Sequence, residues 1–118
     1  MANGIKTGGE KPIRWISGST FQSPPFSETV RGRAGWLLRR LQRGEVLGLP
    51  TSRPLPRIGA RCHEIRLADP EIRKHWRIFY RIDREAIVVI HVHDKDEQQL
   101  PDRVVALCQR RLREYDRG

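Results

Sequence analysis

Cysteine is scarce: Cys62 and Cys108 are all that the 118 residues contain. Two thiols exclude a framework of several disulfides and a four-cysteine zinc site. Long apolar runs are missing too. A membrane-spanning helix needs roughly 18 uninterrupted apolar residues, and nothing in the sequence approaches that length. The opening MANGIKTGGEKP lacks the apolar stretch of a secretory signal. Acidic residues are the minority, 14 Asp and Glu against 23 Lys and Arg, for a net charge of +9. Such an excess points to a partner of opposite sign, nucleic acid by default and an acidic protein otherwise. A cytoplasmic, soluble, basic protein is expected, with residues 1–12 a disordered arm and 13–118 one domain.

What the chain does contain is alternation. Between Arg61 and Lys95, three short runs switch between apolar and polar residues: CHEIRL (62–67), HWRIFYRI (75–82) and AIVVIHVH (86–93). Period two with β-branched and aromatic residues predicts strands, and the short connectors ADPEIRK and DRE predict an antiparallel meander. Strict alternation gives this meander an apolar face, with Ile65, Leu67, Trp76, Ile78, Tyr80, Val88, Ile90 and Val92 on it. The opposite face collects Cys62, Glu64, Arg66, Arg77, Phe79, Arg81, Ile87, Val89, His91 and His93 and, with its arginines and histidines, reads as basic, either a solvated surface or a site.

The flanks are simpler. IRWIS (13–17) predicts a short strand able to pair with the later sheet. From about Pro25 to Arg43, Phe26, Val30, Ala34, Leu37, Leu38 and Leu41 recur at helical spacing, with Ser23-Pro24-Pro25 as a start and Gly44 as a stop. Arg31, Arg33, Arg39, Arg40 and Arg43 line the other side of that helix. EVLGLPTSRPLPRIGAR (45–61) has too many prolines and glycines for regular structure and is expected to lay Leu47, Leu49 and Leu55 on the core. A last helix runs from near Pro101 to about Tyr115, burying Val104, Leu107, Cys108, Leu112 and Tyr115, with Arg103, Arg110, Arg111 and Arg113 outward.

The order strand, helix, proline-rich loop, meander, helix resembles the RelE/ParE toxin superfamily, in particular its phage-derived HigB-like branch. LLRRLQRGEVLGLP (37–50) with SRPLP (52–56) looks like that family's first-helix exit and loop. CHEIRL is similar to its "hELR" strand, WRIFYRID (76–83) to its "yRvlY" strand, and AIVVIHVHDKDEQQLP (86–101) to the strand ending in a lysine pair. The resemblance implies an α+β fold: a small antiparallel-meander sheet, an N-terminal helical segment packed on one face, and a C-terminal helix. It also implies the toxin of a type II toxin–antitoxin module, an mRNA endoribonuclease working without a metal or other cofactor. Its partners would be mRNA, the ribosome and a cognate antitoxin, commonly a small helix-turn-helix protein. Position by position, Arg66 takes the arginine of "ELR", Arg77 that of "yR", Lys95 the first lysine of the pair, and Tyr115 an aromatic of the last helix. The chain departs from the pattern at His93, which replaces an aromatic, and at Asp96, which replaces the second lysine; Asp94 and Glu97 add carboxylates beside Lys95.

The chemistry agrees with the residue types. Attack of a ribose 2′-hydroxyl on the adjacent phosphate needs a base, a cation to stabilise the transition state, and an acid for the leaving oxygen. Arg66, Arg77 and Arg81 suit phosphate, while His91, His93 and Lys95 can move protons. Arg61, Arg81, Arg39, Arg40 and Tyr115 are the expected RNA contacts. Each has a plainer reading: cross-strand packing for the histidines, ion pairing for the arginines, core for Trp76 and Tyr80. His91-x-His93, even with Cys62 nearby, lacks a fixed third and fourth metal ligand, and no metal site is expected. The competing functions are a ParE-like inhibitor of a protein target such as DNA gyrase, and a degenerate member that chiefly binds its antitoxin.

Overall fold

A computed structural model describes residues 10–16, 25–94 and 99–118. Through them run β1 (Ile13–Trp15), α1 (Glu28–Gln42), β2 (Ser52–Pro54), β3 (Cys62–Asp69), a 3-10 turn (Pro70–Ile72), β4 (Lys74–Ile82), β5 (Ile87–Asp94) and α2 (Asp102–Asp116). Strands β3, β4 and β5 form the expected antiparallel meander. The proline-rich loop contributes the short β2, antiparallel to β3, and β1 joins β5 in parallel, so the sheet order is β1-β5-β4-β3-β2. The fold is α+β. Residues 1–9 of the expected arm lie outside the described residues. Lys11 and Pro12 are tied down: the Lys11 amide donates to the Gln42 carbonyl (2.8 Å), and the Ile87 amide to the Pro12 carbonyl (3.0 Å).

Helix α1 begins three residues later than the sequence pattern indicates. Its cap is Ser27, whose extended backbone (φ −61°, ψ 159°) lets Oγ accept the Val30 amide at 3.3 Å. At the other end Gly44 (φ +88°) takes the left-handed conformation that glycine adopts without strain. Its amide donates to Leu41 O (3.0 Å) and that of Glu45 to Arg40 O (3.1 Å), the paired bonds of a Schellman stop. The start of α1 is fastened to the meander by one buried carboxylate. Asp69 Oδ2 accepts the Ser27 amide (2.9 Å) and the Trp76 indole N–H (3.1 Å), while Phe26 packs edge-on against Trp76. Burial alone would raise the Asp69 carboxyl, but the hydrogen bonds from Ser27 and Trp76 outweigh it and hold it below its ordinary value of 3.8. A group more acidic folded than unfolded contributes fully above that ordinary value, and the contribution disappears as pH falls through the lower folded one. Asp69→Asn is therefore expected to lower stability at pH 7 and to flatten the loss below about pH 4. Urea midpoints measured between pH 2.5 and 7 check both.

The sheet has apolar residues on both faces, which corrects the expectation of one apolar and one basic face. Under α1 lie Ile65, Leu67, Trp76, Ile78, Tyr80, Ile87 and Val89, together with the helix's Val30, Ala34, Leu37, Leu38 and Leu41. Under α2 lie Cys62, Phe79, Val88 and Ile90, with Val104, Val105, Cys108 and Leu112. A register shift decides which residues of β5 go to which face. Phe79 pairs with His91 but Tyr80 pairs with Val89, leaving Ile90 as an extra residue. Such a bulge flips the strand's earlier residues to the opposite face, so Val88 and Ile90 exchange faces with Ile87 and Val89. Leu47 and Leu55 are buried as expected, whereas Leu49 is 75% exposed. In α2, Val105 is buried, and Leu107 and Tyr115 are only half-buried.

Candidate functional site

The meander's register assembles a polar row at the end of the α2 face beyond Phe79. Arg66 pairs with Arg77 and Arg77 with His93, so arginine, arginine and histidine lie side by side across three strands. Glu64, two residues before Arg66 and so on the same face, is completely buried. Its Oε1 accepts Arg53 Nε at 2.9 Å and lies 3.8 Å from Arg66 Nε; its Oε2 lies 3.6 Å from Arg77 Nε. Three guanidinium groups around one carboxylate leave a local excess of positive charge. Arg77 is 1% exposed, whereas Arg53 and Arg66 are 41% and 44% exposed. The row thus has a buried root and two solvent-facing cations. Pro50, His75 and Trp76 complete the shallow cleft over Arg66 and Arg77.

The histidines differ. His91 stacks on Phe79 with rings nearly parallel, and its Nδ1 faces Arg111 Nη1 at 3.2 Å. Arg111 also donates to the Ile90 carbonyl at 2.9 Å. Since a guanidinium can only donate, Nδ1 is the acceptor and the ring is neutral. Burial, then the charge of Arg111, then that of His93 pull His91 down to about 4. His91 is uncharged at neutral pH and poorly suited to supply a proton there. His93 stands 5.9 Å from it, beside Arg77. Lys95 lies outside the described residues.

The remaining sequence-derived positions fall elsewhere. Arg61, Arg81 and Tyr115 line an open depression at the far end of the sheet with Lys11, Asp83 and Asp116. Arg77 and Arg81 are four residues apart, roughly 13 Å along the strand. Arg81 is 9% exposed and held by two carboxylates: Nε and Nη2 donate to Asp83 (2.7 and 2.9 Å), Nη1 and Nη2 to Asp116 (2.9 and 2.7 Å). These bonds raise the Arg81 pKa further and hold the Asp116 carboxyl below its ordinary range. The fork joins the end of β4 to the end of α2. A lysine there keeps the charge but not the fork, and Arg81→Lys is expected to cost about 2 kcal/mol, read from urea unfolding. Arg39 and Arg40 sit on α1, across the sheet. Cys62 pairs with Arg81 rather than with the histidines, and among the described residues no three His, Cys, Asp or Glu side chains gather as a metal site would require. Burial raises both thiols, that of Cys108 to about 12.

Sequence reasoning did not assign a role to Glu64, to Arg53, or to Arg111 beside the row. Glu64 shared the basic face by alternation, but its full burial depends on cover that periodicity does not describe. Arg53 comes from a loop with no strand signal, and Arg111, expected to point outward, folds back over β5.

The family model for phage-derived protein Gp49-like (DUF891) matches residues 25–113, from the start of α1 through most of α2. The chain belongs to that family. Gp49-like proteins fall in the RelE/Gp49 toxin-like group of toxin–antitoxin toxins, which implies an antitoxin as partner. No curated protein matches this Gp49-like chain. The matched span contains every residue of the polar row, Glu64, Arg53, Arg66, Arg77 and His93. No helix among the described residues of this Gp49-like toxin is long and apolar enough to cross a membrane.

Proposed function

We propose that this Gp49-like toxin is an mRNA endoribonuclease of the HigB-like kind, inhibiting translation by cutting ribosome-associated message without a metal. The observation that carries the reading is the cross-strand row Arg66, Arg77, His93 rooted on buried Glu64. Arg66, exposed and only loosely held by Glu64, binds the scissile phosphate through its two-pronged fork. Arg77 adds fixed positive charge from below, in a low-dielectric setting where such charge acts strongly on a transition state. His93 takes the 2′-hydroxyl proton as the 2′-oxygen bonds to phosphorus and the bond to the 5′-oxygen breaks. Lys95 returns a proton to that leaving oxygen. The products are a 2′,3′-cyclic phosphate and a 5′-hydroxyl. His91 remains neutral, holding Phe79 and His93 in place. Arg61 and Tyr115, at the far end of the sheet, extend the RNA contact away from the cut.

One observation favours a second reading, a ParE-like inhibitor of a protein target such as DNA gyrase or a member that only binds its antitoxin. Glu64 already engages all three arginines, so part of the cationic charge is countered before any phosphate arrives. Inducing the wild-type and Arg66→Ala chains in cells, then mapping mRNA 5′ ends and assaying purified protein on RNA in EDTA, separates the two. New ends carrying 5′-hydroxyls, absent with Arg66→Ala, support cleavage. Growth arrest with intact message and a DNA-damage response would reject it.

A further inference from the structure

The outer face of α1 contains a tryptophan with no role in the core. Trp36 is 54% exposed, on the side of the helix opposite Leu37, Leu38 and Leu41. Its neighbours at helical spacing are Gly32, Arg33, Arg39, Arg40 and Arg43, three, four or seven residues away. Arg40 lies over the indole at 5.0 Å and is ion-paired with Glu45 at 2.9 Å, next to Val46, which is 81% exposed. Cation, ring and aliphatic side chain therefore form one patch.

Two glycines inside the same helix have no structural reason. Glycine is the poorest helix former after proline, yet Gly32 and Gly35 both face outward near Trp36. A Cβ on either would meet no atom within 4 Å. Nothing among the described residues requires them, whereas a partner backbone lying close along the helix would. Arginine and tryptophan are the residues most enriched at the energetic centres of protein interfaces. The exposed aliphatic Val46 has no use in binding phosphate, and the four arginines still outnumber the neighbouring Glu10, Glu28 and Glu45, of which Glu10 lies 3.8 Å from Arg43 and Glu45 2.9 Å from Arg40. An acidic polypeptide fits this surface better than RNA.

We propose that the outer face of α1 is the docking surface for the antitoxin, through an acidic segment whose apolar anchor covers Trp36. Arg39 and Arg43 pair with its carboxylates, and Gly32 and Gly35 let its backbone approach. This face lies across the sheet from Arg66, Arg77 and His93, because residues alternate between faces along β4 and α1 packs on Trp76, Ile78 and Tyr80. The inference rests on the family's antitoxin partnership and not on the nuclease reading.

The test uses the full chain and its antitoxin, purified as the complex they form on co-expression. Hydrogen exchange should show α1 and residues 43–46 protected in the complex. Trp36→Ala should raise Kd at least about 30-fold, and Arg39→Glu with Arg43→Glu at least about 10-fold. Gly32→Gln should raise the Tm of the free protein by about 4 °C through helix propensity while weakening the complex. That opposed pair of effects excludes misfolding as the cause. RNA cleavage and growth arrest should be unchanged in Trp36→Ala and Gly32→Gln, and Arg66→Ala should bind the antitoxin normally. Protection confined to the Arg53–Arg66–His93 face, or a Kd within twofold of wild type for Trp36→Ala, would overturn the proposal. So would a Trp36→Ala chain that loses single-stranded RNA but keeps the antitoxin.

Discussion

Arg66→Ala is expected to reduce kcat/KM for RNA cleavage by about 10²–10³-fold while changing unfolding free energy by less than about 0.5 kcal/mol. The asymmetry follows from where the side chain sits. Arg66 is 44% exposed, and the Glu64 carboxylate oxygen it faces is 3.8 Å away. A solvent-facing ion pair of that length contributes little to folding. Toward a phosphate, the same guanidinium would offer two parallel donors and a charge that never titrates. Arg66→Lys should recover only part of the loss, because an ammonium supplies the charge without the fork. Arg77→Ala should lose as much activity but is a poorer test, since a side chain 1% exposed also holds the fold together. Single-turnover kinetics on a short RNA, with urea unfolding of the same samples, gives both quantities. If cleavage survives Arg66→Ala, the row is structural and the inhibitor reading takes its place. The histidines supply a further check. Because His91 is neutral above about 4, His91→Asn should leave the shape of the pH–rate profile between 5 and 9 unchanged, whereas His93→Asn should remove most of the cleavage by taking away the proposed base.

The fold was largely legible because each element has a local cause. Helix α1 shows its buried face at spacings of three and four, and Gly44 ends it as expected. The three meander runs alternate, and their short connectors permit few other pairings. The error lay in AIVVI (86–90). Five consecutive apolar residues are the pattern of a strand covered on both faces, yet strict alternation split them into a core side and a polar side. The bulge at Ile90 then reversed that assignment for half of β5. Of the candidate site, Arg66, Arg77 and His93 could be placed together because register follows from strand order. Arg61, Arg81 and Tyr115 were grouped with them because alternation specifies a face and not a position along it; roughly 13 Å of strand separates the two ends. The ionisation of His91 was not legible at all. It depends first on burial and then on Arg111, twenty residues away, turning back from α2, and no periodicity encodes either.

Glu64→Ala should destabilise the protein by about 3–5 kcal/mol, a large share of the roughly 5–15 kcal/mol that holds a domain of this size together. Among the three arginines around Glu64, the cost falls on Arg77. Arg53 and Arg66, both about two-fifths exposed, can turn to solvent when the carboxylate is removed. Arg77 cannot, because it is rooted in the sheet between Arg66 and His93 and its guanidinium would remain buried without the carboxylate. Removing one partner of a buried pair is far more damaging than replacing both. The double replacement Glu64→Leu with Arg77→Met should accordingly return to within about 1–2 kcal/mol of wild type, yet show no RNA cleavage. Stability alone would select the apolar pair. A stable, inactive double variant would mean that the buried ion pair serves to hold positive charge under the phosphate site, and Glu64 would then be a positioning residue acting through Arg77. Equilibrium urea unfolding of the two single variants and the double variant closes the cycle. A loss below about 1 kcal/mol for Glu64→Ala, or cleavage by the double variant, would remove Glu64 and Arg77 from the mechanism and leave Arg66 and His93 to carry it.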